Sequence, residues 1–337
     1  MKITENFSLK AFNTFGIETS ARWFASFSSA DELRKITSSS VYHSSPSLLI
    51  GRGSNLLFLG NYPGLVLHST HQKVRVVEHD NRTVLLEAGA GMLWDDLVAY
   101  AVKNNWWGIE NLSLIPGEVG AAAVQNIGAY GVEFCDVIDS VHVLNLSTGQ
   151  ELKLTLADCG YGYRTSIFKT TARGEFAVLS VRLRLSRFAR PCFSYPHLEE
   201  EVLKRGKADL ATIRETVIAI RTAKLPDPVV LGNAGSFFMN PVVPVEKWSQ
   251  LNKEYPAMPN YKVSDHQVKI PAAWLIEQCG WKGRNLGNAG VYEYQPLVLV
   301  NRGGATGREI ADLAAHIQQS VDERFGIQLI PEVNYIG

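Results

Sequence analysis

Short apolar, β-branched runs recur through the first two-thirds of the chain: SLLIG (47–51), GLVLHST (64–70), VRVVEHD (74–80), TVLLEAGAG (83–91), DVIDSVHVLNLSTG (136–149) and FAVLSVRLRLSR (176–187). Most alternate apolar with polar positions and close on Gly, Asn or Asp, so each predicts a strand followed by a turn. One stretch among them changes period. In MLWDDLVAYAVKNN (92–105), Leu93, Leu97 and Ala101 recur at i, i+4 and i+8, which predicts a helix with one buried face. A second helix is predicted from Asp209 through DLATIRETVIAIRTAK, with Leu210, Ile213, Val217 and Ile220 on one face. Thr212 and Glu215 have the spacing of a capping box, and LPDPVV (225–230) stops the helix.

Beyond that stop the composition changes. Loops dominate from about 225, followed by AAWLIEQCG (272–280) as a helix and PLVLVNRGG (296–304) as a strand. GREIADLAAHIQQSVDERFG (307–326) predicts a helix with Ile310, Leu313, Ile317 and Val321 as its apolar stripe and Gly326 as its C-terminal cap. IQLIPEVNYI (327–336) predicts a buried terminal strand. With no internal repeat and no low-complexity tract, the pattern is that of an α+β protein in two unequal parts.

A length of 337 residues suggests two or three domains. Hydrophobic residues at 46% and charged residues at 20% exclude disorder as the main state. Lys plus Arg and Asp plus Glu number 33 each, so no global field favours nucleic acid or an anionic membrane, and an anionic ligand must be met by a local pocket. Cys135, Cys159, Cys192 and Cys279 form no CxxC pair and signal neither zinc nor disulfides; reduced, buried thiols are expected. The histidines, among them His43, His68, His71, His79 and His316, show no metal-ligand spacing, and neither metal nor chemistry is assigned to them. The opening MKITENFSLKAFNTF is polar and no apolar run approaches a membrane span, so a cytoplasmic chain without a signal peptide or membrane insertion is expected.

Three segments carry the candidate chemistry. GRGSNLLF (51–58) is a glycine turn directly after a strand, where backbone N–H groups can approach a phosphate closely. It runs on into more strand, which argues against the dinucleotide βαβ unit, whose glycine turn opens a helix. SLIPGEVGAAAVQNIGAYGVE (113–133) interleaves Gly117, Gly120, Gly128 and Gly131 with Gln125, Asn126 and Tyr130. Small residues explain close packing there, while the amides suit an extended polar cofactor with phosphates. LGNAGSFFMNP (231–241) reads as a loop that sets the hydroxyl of Ser236 directly before Phe237 and Phe238.

Together GRGSNLLF, LSLIPGEVGAAAVQNIGAYG, YGYRTSIFK, IRTAKLPDPVVLGNAGSFFMNP and the C-terminal PEV resemble the UDP-N-acetylenolpyruvoylglucosamine reductases, flavoproteins of peptidoglycan precursor synthesis. The resemblance runs nearly end to end, with the motifs in the family's order. It implies a two-lobed FAD-binding domain of the vanillyl-alcohol-oxidase (PCMH) type followed by a smaller α+β substrate domain. The implied boundaries are 1–70 and 71–205 for the two lobes, 206–325 for the substrate domain, and 326–337 for a terminal strand that returns a glutamate to the site. The implied partners are non-covalent FAD, NADPH as reductant and a UDP-sugar enolpyruvyl substrate.

The same resemblance assigns roles. The cofactor is expected at Gly51, Arg52, Gly53, Ser54, Asn55, Leu56, Pro116, Gly117, Gly120, Gln125, Asn126, Gly128, Ala129, Tyr130 and Arg164. Substrate is expected at Tyr195, Lys224, Asn240, Tyr261, Lys269 and Gln295, with Tyr195, in a loop bounded by Pro191 and Pro196, marking the subclass whose tyrosine closes over the sugar nucleotide. Reduction of UDP-N-acetylglucosamine enolpyruvate to UDP-N-acetylmuramate would pass a hydride from flavin N5 to the enolpyruvyl CH2 carbon. Ser236 would then deliver a proton to the α-carbon, with Arg164 and Glu332 stabilising the enolate. From spacing alone, Arg164 also reads as a surface ion-pair partner, Lys224 as a cation at a helix C-terminus, and Glu332 as a strand-edge acid. The alternatives are an FAD-dependent oxidoreductase of the same fold with another substrate, and a sugar-nucleotide binder without catalysis. The chain departs from the family pattern at Arg52, where a small or acidic residue is usual, at Ala123 in place of a frequent proline, and at Met239 in place of a common basic residue.

Overall fold

The computed structural model describes residues 2–195 and 197–337. The chain forms two compact units that interleave along the sequence. The first holds Met1–Phe7, Ala21–Arg52 and Pro63–Thr222; the second holds Ser8–Ser20, Gly53–Tyr62 and Ala223–Gly337.

Two sheets build the first unit. A four-stranded sheet runs in the order Ile3–Ser8, Ser20–Phe27, Tyr62–Ser69, Ser47–Ile50, its last two strands parallel with Leu49 opposite Leu67. Helix Ala30–Thr37, capped by Ser29, buries Leu33 and Ile36 against Leu65 and Leu67 of that sheet. A five-stranded antiparallel sheet follows in the order Glu151–Thr155, Ile138–Asn145, Phe176–Ser186, Thr83–Gly89, Val74–His79. All six runs with strand alternation therefore contain strands, and helices Trp94–Lys103 and Val119–Gln125 pack on the second sheet. The buried stripe of the first of these helices is Trp94, Leu97, Val98 and Ala101. Leu93, expected in that stripe, is half-buried and precedes the helix, because the larger Trp94 takes the core position and donates its indole N–H to the Leu112 carbonyl at 3.0 Å.

Helix Leu210–Lys224 sets Leu210, Ile213 and Val217 against Trp107, Leu198 and Val202. Its N-terminal cap is Asp209, whose carboxylate accepts the Thr212 N–H at 2.9 Å. Thr212 thus lies in the first turn and is not the start of a capping box, since an aspartate three residues earlier already satisfies the exposed N–H.

The second unit contains an antiparallel sheet in the order Gly232–Ser236, Val298–Asn301, Ala289–Val291, Asn285–Leu286 and a three-stranded sheet, Val242–Pro244, Gln267–Lys269, Tyr261–Lys262. Helix Gly307–Phe325 opens with a Thr306–Glu309 capping box and ends at Gly326 with φ +58°. Its Ile310, Leu313, Ile317 and Val321 are fully buried in one core with Phe237, Phe238, Leu275 and Phe325. The segment read as a loop at 231–241 is a strand through Ser236, with a bulge between Asn233 and Ser236. The turn-forming residues serve that bulge: Gly235 has φ +68°, and Asn233 Oδ1 accepts its N–H at 2.9 Å. Only Asn334–Ile336 of the expected terminal strand is regular, paired in parallel with Leu56–Phe58. Pro331 makes an isolated bridge to Phe238, and a bend at 332–333 separates it from that strand. Among the described residues, no helix is long and apolar enough to cross a membrane.

Candidate active site

In the first unit, strand Ser47–Ile50 delivers the glycine turn against the start of helix Val119–Gln125. A Cβ at Gly51 would lie 3.1 Å from Glu118 Oε2 and 3.4 Å from Ala121 Cβ, so the turn packs tightly against the start of the helix. Glu118 is buried, with its two oxygens 3.0 and 3.2 Å from His68 Nε2, and Arg52 Nε lies 3.5 Å from Oε1. Gly120 owes its missing side chain to packing: a Cβ there would sit 2.9 Å from Ala90 Cβ, and its N–H donates to the Ala90 carbonyl at 2.9 Å.

The C-terminal end of that helix holds the turn that carries Arg164. Asn126 caps the helix in the left-handed region with φ +47°, and its buried side chain is fully engaged. Its Nδ2 donates to Gly162 O and Glu133 Oε2 at 2.9 Å, while Oδ1 accepts the Cys135 N–H at 3.0 Å. Gly162 and Thr165 close a two-residue turn with reciprocal 3.1 Å bonds, and Arg164 within it has φ +55°. The half-buried guanidinium donates to the carbonyls of Asn126 and Gly128, and Lys169 Nζ donates to the Arg164 carbonyl at 3.0 Å. Leu114 and Tyr130 add two further left-handed residues, at φ +57° and +50°. Each such residue costs about 1 kcal/mol or more, and their concentration in this segment marks a backbone shaped for more than packing.

Tyr130 meets Tyr195 edge to face, ring centroids 4.9 Å apart, and Asn111 Nδ2 donates to the Tyr130 carbonyl at 2.8 Å. Pro196, the far boundary expected for the Tyr195 loop, lies outside the described residues. Helix Leu210–Lys224 is fixed to this region by Arg214, which holds Asp95 through two hydrogen bonds of 2.7 and 2.8 Å and Ser113 Oγ at 3.0 Å. Burial alone would raise the Asp95 carboxyl, but Arg214 and the Leu114 N–H outweigh it and hold it below its ordinary value. Two turns further on, Arg221 is half-buried and its Nε has no hydrogen-bond partner among the described residues. Burial holds its guanidinium below its ordinary pKa against the favourable influence of Tyr130 and Asp95.

In the second unit, Ser236 is exposed although Phe237 and Phe238 are buried. Glu332 donates its N–H to the Phe237 carbonyl at 2.8 Å, and Pro331 is bridged to Phe238. This pairing sets Glu332 opposite the neighbour of Ser236, so the structure brings these two expected catalytic residues onto adjacent backbones. Asn55 joins them: its Nδ2 donates to the Glu332 carbonyl at 3.1 Å, and its own carbonyl accepts the Asn334 N–H at 3.0 Å. Gly53 precedes it with φ +66°, where a Cβ would fall 2.0 Å from the Phe12 carbonyl oxygen.

The expected substrate residues of this unit are distributed. Lys224 is exposed at the end of its helix, the position where a cation complements the dipole. Tyr261 and Lys269 are register partners, with the ammonium 5.9 Å from the ring centroid. Asn240 uses its side-chain oxygen to accept the Ala272 N–H at 2.9 Å at the start of helix Ala272–Gln278. Gln295 Oε1 accepts the Leu297 N–H at 3.4 Å.

Residues 21–155 match the family described as FAD binding domain, and residues 227–336 match the C-terminal domain of UDP-N-acetylenolpyruvoylglucosamine reductase. The reductase of that name from Porphyromonas gingivalis is 48% identical over 342 residues, covering 100% of both chains. Its counterpart from Bacteroides fragilis is 49% identical over 332 residues, 98% of this chain and 99% of its own. The chain belongs to the UDP-N-acetylenolpyruvoylglucosamine reductase family. The reductase of Thermus caldophilus shares the fold, with a TM-score of 0.71 at 24% identity over 100% of both chains. A solvent-stable cholesterol oxidase shares it more distantly, with a TM-score of 0.50 at 13% identity over 98% of this chain and 86% of its own. The two-part α+β architecture expected from the sequence, with its FAD-binding and C-terminal domains, is the architecture of this reductase family.

The residues of the first unit fit a phosphate-bearing flavin. Arg52 is exposed, and Arg164 and Arg221 place cations beside a segment that carries left-handed residues at Asn126 and Tyr130. Three groups were not singled out by the sequence. Arg221 stands seven residues after Arg214, a helical spacing that places both on one face. Glu118 and His68 left fainter traces, an acid in a glycine-rich run and a histidine in an apolar strand. The thiols are free, but only Cys159 is buried; Cys135, Cys192 and Cys279 are half-buried. Among the described residues, no three His, Cys, Asp or Glu side chains are grouped to hold a metal.

Proposed function

We propose that this chain reduces UDP-N-acetylglucosamine enolpyruvate to UDP-N-acetylmuramate for peptidoglycan precursor synthesis, with FAD bound non-covalently and NADPH as the reductant, in the cytoplasm. The observation that carries this reading is similarity to reductases of this name at 48–49% identity along the whole chain. FAD, when bound, supplies the hydride chemistry. In the first unit it is assigned to Gly51, Arg52, the 116–130 segment and Arg164. Lobes at 1–70 and 71–205, a substrate domain at 206–325 and a terminal segment at 326–337 remain the functional division we adopt.

The remaining roles belong to side chains. Hydride addition at the CH2 carbon leaves charge on the α-carbon and carboxylate of the substrate, and a fixed guanidinium such as that of Arg164 stabilises it without reorganising. Glu332 serves that charge as a protonated donor, since a carboxylate would repel it. The exposed hydroxyl of Ser236 gives its proton to the α-carbon, a weak acid matched to a strongly basic acceptor. Lys224, Lys269, Tyr261, Asn240 and Gln295 are assigned to the sugar nucleotide. We assign the chain to the subclass with a tyrosine-bearing substrate loop, a reading supported by the edge-to-face contact of Tyr195 with Tyr130.

The test follows flavin absorbance in the purified, FAD-loaded chain. NADPH should bleach it, and the colour should return in the absence of oxygen only when the enolpyruvyl UDP-sugar is added. Return with an unrelated reducible substrate, or a chain that takes up no FAD, contradicts the reading.

A further inference from the structure

Glu118 is the N-cap residue of helix Val119–Gln125 yet makes no capping bond. The first two helical N–H groups are taken elsewhere, Val119 by the Met92 carbonyl and Gly120 by the Ala90 carbonyl, both at 2.9 Å. The carboxylate turns instead into the protein, where its side chain is 3% exposed. A buried carboxylate persists only with partners, and both partners come from other segments. His68 arrives from strand Tyr62–Ser69 with its ring against Phe24, centroids 6.5 Å apart, and Phe24 is stacked at 4.0 Å on Phe7. Arg52 arrives from the glycine turn, its Nε 3.5 Å from Glu118 and its side chain 46% exposed. The guanidinium is thus tethered at its root, with much of it left accessible to an anion.

We infer that Glu118, supported by His68, is a positioning residue for the cofactor: it clasps the Gly51–Arg52 turn to helix Val119–Gln125 and holds Arg52 ready for the phosphates of FAD. The inference rests on the reading that this turn and the 116–130 segment hold FAD. Without the carboxylate, the turn loses its only charged tie to the helix among the contacts described, and Arg52 must be ordered by the cofactor itself, which weakens binding.

FAD-loaded full-length protein, diluted serially, gives the dissociation constant from the fluorescence of released FAD. Glu118→Gln should weaken FAD about tenfold, equivalent to about 1.4 kcal/mol. In the Arg52→Ala background the same change should have clearly less effect, because the two residues act through one turn. The unfolding temperature of the FAD-free chain separates a local from a global effect; if Glu118→Gln fails to fold, His68→Asn is read in its place against Arg52→Ala. Unchanged FAD affinity in the Glu118 or His68 variant overturns the inference, as do additive effects with Arg52→Ala. Wild-type protein that takes up no FAD overturns the cofactor reading itself.

Discussion

Ser236 is exposed while the two residues after it are among the most buried of the chain. That contrast was legible in the sequence, because an aromatic pair following a flexible stretch needs a core and a hydroxyl before it does not. Asn126 shows where legibility stops. Its residue type pointed to polar contact, but its three hydrogen bonds go to Gly162, Glu133 and Cys135, partners fixed only by the fold. Glu118 and His68 are 50 residues apart, and no local pattern couples them. The cysteines differ in a way that spacing did not show. Burial pushes the Cys159 thiol up to about 11, and the side chain is 0% exposed. Iodoacetamide at about pH 8 should therefore leave Cys159 unmodified in the native protein while the half-buried thiols react. Mass spectrometry of the peptides checks this, and labelling of Cys159 at the rate of Cys192 would refute it.

Helices with a strong apolar stripe were readable as whole elements, Gly307–Phe325 most completely, since stripe, capping box and terminal glycine all agree there. Ends were harder. The cap at Asp209 turns on which group satisfies one N–H, and the break before Asn334 on a bend at 332–333, matters that periodicity does not encode. The Arg214–Asp95 pair ties helix Leu210–Lys224 to the segment before Leu114. Because the folded-state pKa of Asp95 is depressed, its contribution is present above the ordinary value of 3.8 and is lost as pH falls through the lowered value. Asp95→Asn should cost about 1–3 kcal/mol near neutral pH, less than a fully buried pair, and the difference from wild type should shrink on acidification below about pH 4. Urea unfolding at several pH values measures it; a difference that grows toward low pH would contradict the assignment.

On the scale of the whole molecule, composition and charge excluded classes without naming an activity, and the family motifs supplied what the balance of residues did not. The interleaving of the units was hidden. Residues 8–20 and 53–62 join the C-terminal unit although they lie within the N-terminal part of the sequence, and only long-range pairing such as Asn334 opposite Leu56 reveals it. The central claim is that the chain is a two-step reductase in which Ser236 completes the second step. Stopped-flow flavin absorbance on Ser236→Ala, with the half-reactions recorded separately, tests it most directly. Bleaching by NADPH should proceed at the wild-type rate, while return of colour with the enolpyruvyl UDP-sugar should slow by on the order of 10²–10⁴-fold. Equal slowing of both half-reactions, or of neither, would contradict the account.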